Sequence, residues 1–127
     1  MYIGLISDTH GVFDARIKEF LEPVDQIWHA GDFGGGMEMA AEIARFKPLV
    51  GVAGNCDNHD LRFEHPLHRF FECEGMKVLM THVGGYPGRY DVRAKALIDK
   101  YKPDIFVCGH SHILKVVRDP RRNMLVI

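Results

Sequence analysis

Five short motifs distribute oxygen and imidazole donors along this chain: Asp8-Thr9-His10, Gly31-Asp32, Gly54-Asn55-Cys56-Asp57, Thr81-His82 and Gly109-His110-Ser111-His112. Carboxylate, amide oxygen and imidazole nitrogen, with no requirement for thiolate, suit a catalytic first-row dication with five or six ligands better than a closed structural zinc site. Seven candidate ligands (Asp8, His10, Asp32, Asn55, His82, His110 and His112) are too many for one ion. They suit two ions sharing a bridging carboxylate. Such pairs typically sit ~3.5–4 Å apart and clamp the attacking and leaving oxygens of a phosphoryl transfer. In an extended segment residues i and i+2 point to one side, so Asp8 with His10 can face one centre, as can His110 with His112. Each motif alone is weak, since aspartate caps helices and turns and Gly-Asn is a common turn. The five together carry the reading.

The elements that must position these donors follow from hydrophobic period. Tyr2 to Ser7 is a short apolar run rich in strand formers, as are Asp25 to Ala30, Leu49 to Ala53 and Ile105 to Cys108. Each ends in one of the motifs. Ligands in open α/β sheets collect at the carboxyl ends of strands, where loops converge on one crevice. Between the first three strands, Phe13 to Leu21 and Met37 to Phe46 carry helical spacing and are stopped by Pro23 and Pro48. This order implies a parallel sheet with right-handed crossovers. After a polar loop around Asn58 to Pro66, His68 to Cys73 and Lys77 to Thr81 read as a hairpin across Glu74-Gly75-Met76. Asp91 to Tyr101 is an amphipathic helix closed by Pro103, and Ile113 to Val117 with Met124 to Ile127 read as a final hairpin across Asp119-Pro120. The expectation is one α/β domain over residues 1–127 with mixed strand pairing.

Composition excludes several classes. The formal charge of -1 and the lack of a Lys/Arg run give no strong nucleic-acid-binding signal. No apolar stretch approaches the length of a membrane span. Three cysteines without CxxC spacing argue against a disulfide framework and favour a reducing compartment. Asp8 and His10 lie so near Met1 that cleaving a leader would remove them, so the expected location is cytoplasmic. Of eight histidines, His29 lies inside the second strand and is expected to be a satisfied core histidine or a support for the ligands. His59, His65 and His68 are expected in a solvated loop and strand edge. Cys73 and Cys108 are expected to be small core residues.

The ordered set DTH, GD, GNCD, TH and GHSH resembles the calcineurin-like metallophosphoesterase superfamily, in particular its small YfcE-type phosphodiesterase branch. The resemblance runs from Asp8 to His112. It implies an α/β/β/α sandwich with mixed sheets, Asp8, His10 and His112 on a first metal, Asn55, His82 and His110 on a second, and Asp32 bridging. The implied activity is hydrolysis of a small phosphodiester by a hydroxide bridging two divalent ions, with Asp32, Asn55, Cys56 and His82 in the catalytic set. Manganese is the first expectation, and Fe, Ni, Co and Zn suit the same donors. Arg89, in the glycine-rich loop after His82, is a candidate for substrate contact. Self-association is compatible with the sequence. A phosphomonoesterase on the same site and a non-catalytic scaffold of the same fold are the alternatives. Two departures from the family pattern stand out. Cys56 occupies the position where many members have a histidine acting on the leaving group or phosphate. The family also usually continues past the last hairpin with Asn-Pro-Gly-Ser and further strands, a part this chain is expected to lack.

Overall fold

The computed structural model describes residues 1–112 and 115–127. Three parallel strands, β1 (Ile3–Ile6), β2 (Gln26–His29) and β3 (Leu49–Gly51), pair in that order. They are linked by α1 (Ala15–Leu21) and α2 (Gly36–Phe46). A helix α3 (His59–Glu64) leads to the second half of the chain. There β4 (His68–Cys73), β5 (Met76–Thr81), β6 (Ile105–Val107), β7 (Val117–Asp119) and β8 (Met124–Val126) form a mixed sheet ordered β4-β5-β6-β8-β7, with α4 (Val92–Tyr101) crossing between β5 and β6. Each sheet is built from one continuous stretch of sequence.

Strand periodicity sorts the side chains into layers. On β2, Ile27 packs with α1 and α2 residues such as Leu21 and Ile43, whereas Trp28 points the other way, into a cluster with Val78, Met80 and Val107 of the second sheet. On β5 and β6, Leu79 and Phe106 join Ala94 and Ile98 of α4, while their neighbours Val78, Met80 and Val107 face the first sheet. Three apolar clusters thus lie between four layers, helix on sheet on sheet on helix. This is the α/β/β/α sandwich that the family resemblance implies.

Local chemistry fixes the ends of the elements. Asp14 and Asp91 cap α1 and α4 through side-chain bonds to the backbone N–H groups two and three residues on. The β4–β5 hairpin turns through Glu74 and Gly75, both with positive φ, as a two-residue hairpin turn that matches strand twist requires. Two expectations change. The segment Asn58 to Pro66 is not all loop, because Asn58 caps α3 by accepting from Leu61 N–H, and Leu61 is fully buried among residues of the first layer. The last hairpin is shifted along the chain, since β7 spans Val117–Asp119 rather than the expected Ile113 to Val117. Ile113 and Leu114 lie outside the described residues.

Candidate metal centre

The strand ends converge as the motif order required, but through kinked rather than extended backbone. Among the described residues eight non-glycines have positive φ, and five of them are Asp8, His10, Asp32, His110 and His112. Such conformations cost on the order of 1–3 kcal/mol each and persist where the surroundings over-determine them. Alternation along a strand therefore does not bring Asp8 and His10 together. Left-handed turns do, held by Asp8 N–H and His10 N–H donating to the Gly31 and Asp32 carbonyls at 2.8 and 3.1 Å. The same kinks separate His110 from His112, which alternation alone allowed to face one centre and the resemblance divides between two ions. Donor atoms of Asp8, His10 and His112 lie within 4.8 Å of one another, those of Asp32, His82 and His110 form a second such group, and His10, Asp32 and Cys56 a third. Apart from Asn55, the first two groups contain the residues that the family resemblance divides between two ions.

The carboxylates form the floor. The side chains of Asp8 and Asp32 are 6% and 3% exposed, whereas those of His10 and His112 on the rim are 44% and 61% exposed. Asp8 Oδ2 accepts from His110 N–H at 3.0 Å, but its Oδ1 is buried without a hydrogen-bond partner. Around that oxygen stand the Nε2 atoms of His112, His10 and His82 at 3.2, 3.7 and 3.8 Å. Burial pushes the Asp8 pKa up, but hydrogen bonds from Ser7 and His110 and the nearby imidazoles outweigh it, so the carboxyl titrates below its usual value and stays ionised.

His82 is more telling. Its Nδ1 lies 2.7 Å from the Ala30 carbonyl. A carbonyl only accepts, so Nδ1 carries the proton and the neutral ring presents its Nε2 lone pair inward. That lone pair sits 3.1 Å from Asp32 Oδ2 and 3.2 Å from His110 Nδ1. Two acceptors face each other in a buried place, an arrangement that a proton or a cation between them resolves. A ring held by a backbone carbonyl and aimed by it is the usual support of a metal-binding imidazole. Gly31 makes this close approach possible: with φ +101, a Cβ there would come 2.6 Å from His82 Nδ1.

Asn55 and Cys56 are exposed beside Asp32, and Cys56 N–H donates to Asp32 Oδ1 at 2.9 Å. The neighbouring Asp32 charge raises the Cys56 thiol pKa, so the group is a neutral thiol here. Arg89 lines a cavity of about 600 Å³ with Lys95, Arg121 and Arg122, none of them a candidate ligand. His59 is exposed as expected, but His65 is buried, because α3 carries it against Phe33 with ring centroids 5.2 Å apart. That burial lowers its pKa. Cys73 packs against the cluster between the sheets and Cys108 against the α4 cluster, where burial pushes its thiol up to about 11.

Two supporting side chains carry no role in the sequence reading. Asp57 is buried, and its carboxylate accepts from the backbone N–H groups of Gly54, Asp32, Phe33 and Gly34 at 2.8, 2.9, 3.2 and 3.3 Å. It ties the loop after β3 to the loop after β2, and so sets Asn55 against Asp32. Its place in the GNCD motif was the available signal. Thr9 is the other. Its hydroxyl donates to the Phe33 carbonyl at 2.7 Å and receives His29 Nε2–H at 3.0 Å. His29 Nδ1 in turn accepts from Gly31 N–H at 3.1 Å, and its ring stacks on Phe33 at 3.7 Å. His29 is thus the satisfied core histidine expected from its place in the strand.

The whole chain, residues 1–127, matches the model of the calcineurin-like phosphoesterase superfamily domain. The chain belongs to that superfamily. Solved structures share the fold of this calcineurin-like phosphoesterase domain. Wild-type Vps29 complexed with zinc from Entamoeba histolytica has TM-score 0.74 at 18% identity, over 99% of this chain and 72% of that one. A conserved protein from Streptococcus pneumoniae TIGR4, described as a predicted phosphoesterase, has TM-score 0.66 at 22% identity, covering 98% and 68%. A novel archaeal phosphodiesterase has TM-score 0.72 at 23% identity, covering 100% and 82%. No curated protein matches the phosphoesterase domain in sequence. No helix among the described residues is long and apolar enough to cross a membrane.

Proposed function

We propose that the chain is a metal-dependent phosphodiesterase acting on a small diester, with two divalent ions at the converged strand ends. The observation that carries this reading is the facing pair of acceptors, His82 Nε2 and Asp32 Oδ2 at 3.1 Å, beside the partnerless Asp8 Oδ1. A buried carboxylate oxygen without a donor, and a second carboxylate close against an imidazole nitrogen, fit cations. In this reading Asp8, His10 and His112 hold one ion, Asn55, His82 and His110 the other, and Asp32 serves both. The mixed oxygen and nitrogen set suits manganese, iron, nickel, cobalt or zinc. When bound, the ions neutralise charge on the phosphate oxygens and lower the pKa of the attacking water.

The chain's own residues supply position. Phosphoryl transfer asks little covalent chemistry of side chains, so fixing the donors matters most. Asp57 holds the Asp32 and Asn55 loops in register, and the Ala30 carbonyl fixes the His82 ring. The exposed imidazoles of His10 and His112 leave the centre open to substrate from solvent. Cys56, a neutral thiol beside Asp32, is a poor source of a proton for the leaving oxygen at neutral pH.

The test is metal content and turnover on the same sample. Full-length protein saturated with manganese should contain two ions per chain and hydrolyse bis-p-nitrophenyl phosphate, with p-nitrophenyl phosphate much slower. Chelation should abolish turnover while leaving the fold. One ion or fewer per chain defeats the two-ion reading, and a faster monoester makes the protein a phosphomonoesterase.

A further inference from the structure

Arg62, on α3, is a charged side chain without an answer in the fold. Its Nε is buried and has no hydrogen-bond partner, and no ion pair involving it occurs among the described residues. A guanidinium stays charged at any physiological pH, and a buried charged donor is costly to leave unmatched. Arg62 lines a cavity of about 640 Å³ together with Arg93, His68, Asp91, Asn55 and His82. The last two are candidate ligands, so this cavity opens directly onto the metal centre, and its volume lies in the range of small-molecule sites. The Asp91 carboxylate is engaged at the α4 terminus, accepting from Arg93 N–H and Ala94 N–H at 3.1 and 3.2 Å. The fixed charges are therefore two guanidiniums against one carboxylate already committed to a helix cap.

We propose that this cavity takes the arm of the diester that stays on phosphorus, and that Arg62 selects arms ending in a second phosphate. The proposal rests on the hydrolytic reading above and adds the substrate class to it. The planar fork of arginine matches phosphate oxygens, and with Asp91 counted the two guanidiniums still leave the cavity net positive, which favours an arm ending in a charged phosphate over a neutral one.

Two p-nitrophenyl phosphodiesters test it, one with a 4-hydroxybutyl arm and one with a 4-phosphobutyl arm. In both, water adds to phosphorus, the bond to p-nitrophenolate breaks, and the arm remains on the monoester product. The manganese-loaded wild type should favour the phosphate-ended arm in kcat/KM by roughly tenfold or more, the size of one charge-assisted contact. That ratio should shrink at high salt, fall towards one in Arg62→Met, and fall part-way in Arg93→Gln, whose side chain is exposed. A measurement without turnover runs beside it. Butyl phosphate titrated calorimetrically into chelator-treated protein should bind wild type roughly tenfold more tightly than Arg62→Met. A ratio near one in wild type, or one that survives in a natively melting Arg62→Met, overturns the proposal and leaves Arg62 Nε merely hydrated. If neither diester turns over but butyl phosphate binding still depends on Arg62, the hydrolytic reading fails while the anion site stands.

Discussion

Acidifying the metal-free protein should weaken it through His29, a buried neutral imidazole. The neutral ring is satisfied at both nitrogens, with Nε2–H donating to Thr9 and Nδ1 accepting from Gly31 N–H. A second proton on Nδ1 would point at another donor, and the ring is fully buried. Burial is the largest cause of the shift, and it lowers the pKa from 6.5 to about 3. Between pH 6.5 and about 3 the folded protein binds fewer protons than the unfolded chain, so this contribution to stability is complete above pH 6.5 and is lost as pH falls towards 3. Each pH unit in that window removes about 1.4 kcal/mol, so about 2 kcal/mol is gone near pH 5. The depressed Asp8 carboxyl loses its contribution only below its ordinary value of 3.8, so it adds no slope at pH 5 and above. His65, also depressed by burial, shares the window and is present in both proteins compared. Urea unfolding in chelator between pH 5 and 8 is the assay, with wild type beside His29→Gln. Glutamine preserves some hydrogen bonding but does not titrate, so the variant should be weaker at pH 8 and markedly flatter towards pH 5. Parallel pH dependences for the two proteins would refute the assignment of the slope to His29.

Gly54→Ala should damage the site without replacing a candidate ligand, because its Cβ would lie 2.7 Å from Asp32 Cγ and closer still to the adjoining oxygen and backbone nitrogen. Relief requires a shift of about 1 Å, which costs about 10²-fold in a positioned site; manganese titration and diester turnover should fall together. Asp57→Ala leaves the backbone donors of Asp32, Phe33, Gly34 and Gly54 unpaired. At about 1–3 kcal/mol for each donor that water does not reach, it should lower the urea midpoint strongly and loosen metal binding in the folded fraction. For Cys56, activity on diesters of graded leaving-group pKa should decline steeply in wild type and less steeply in Cys56→His, since a positioned general acid contributes about 10²–10⁴-fold. Equal slopes would leave Cys56 without a part in departure of the leaving group.

The layered fold was legible because strand and helix periods differ and nearly every apolar position obeys one of them. The runs at Gln26 to His29 and Ile105 to Val107 needed no tertiary information. Helix α3 escaped because six residues carry too few turns to show a period, and one buried Leu61 anchors it. His65 was misplaced for the same reason, since only the helix brings it beneath Phe33. The candidate ligands were legible as types and spacings, but the grouping of His110 apart from His112 depends on positive φ at both, which sequence alternation cannot encode. Asp57 and Arg62 depend on loops meeting across the fold, one through backbone N–H groups and the other through an unmet donor.

The division of the sheets along the sequence bears on how the protein assembles. Asp8, His10, Asp32 and Asn55 belong to the first half of the chain, and His82, His110 and His112 to the second. Pairing within each half involves only contacts modest in sequence separation, which form quickly. The bond from His110 N–H to Asp8 spans 102 residues, so the centre closes only once the two halves have docked. In the proposed two-ion reading, an ion shared across that seam would act as a clasp on a loop of this length, where loop-closure entropy gives a cross-link great leverage. Metal should therefore slow the separation of the halves far more than it hastens their folding, and amide protons along the seam should report it.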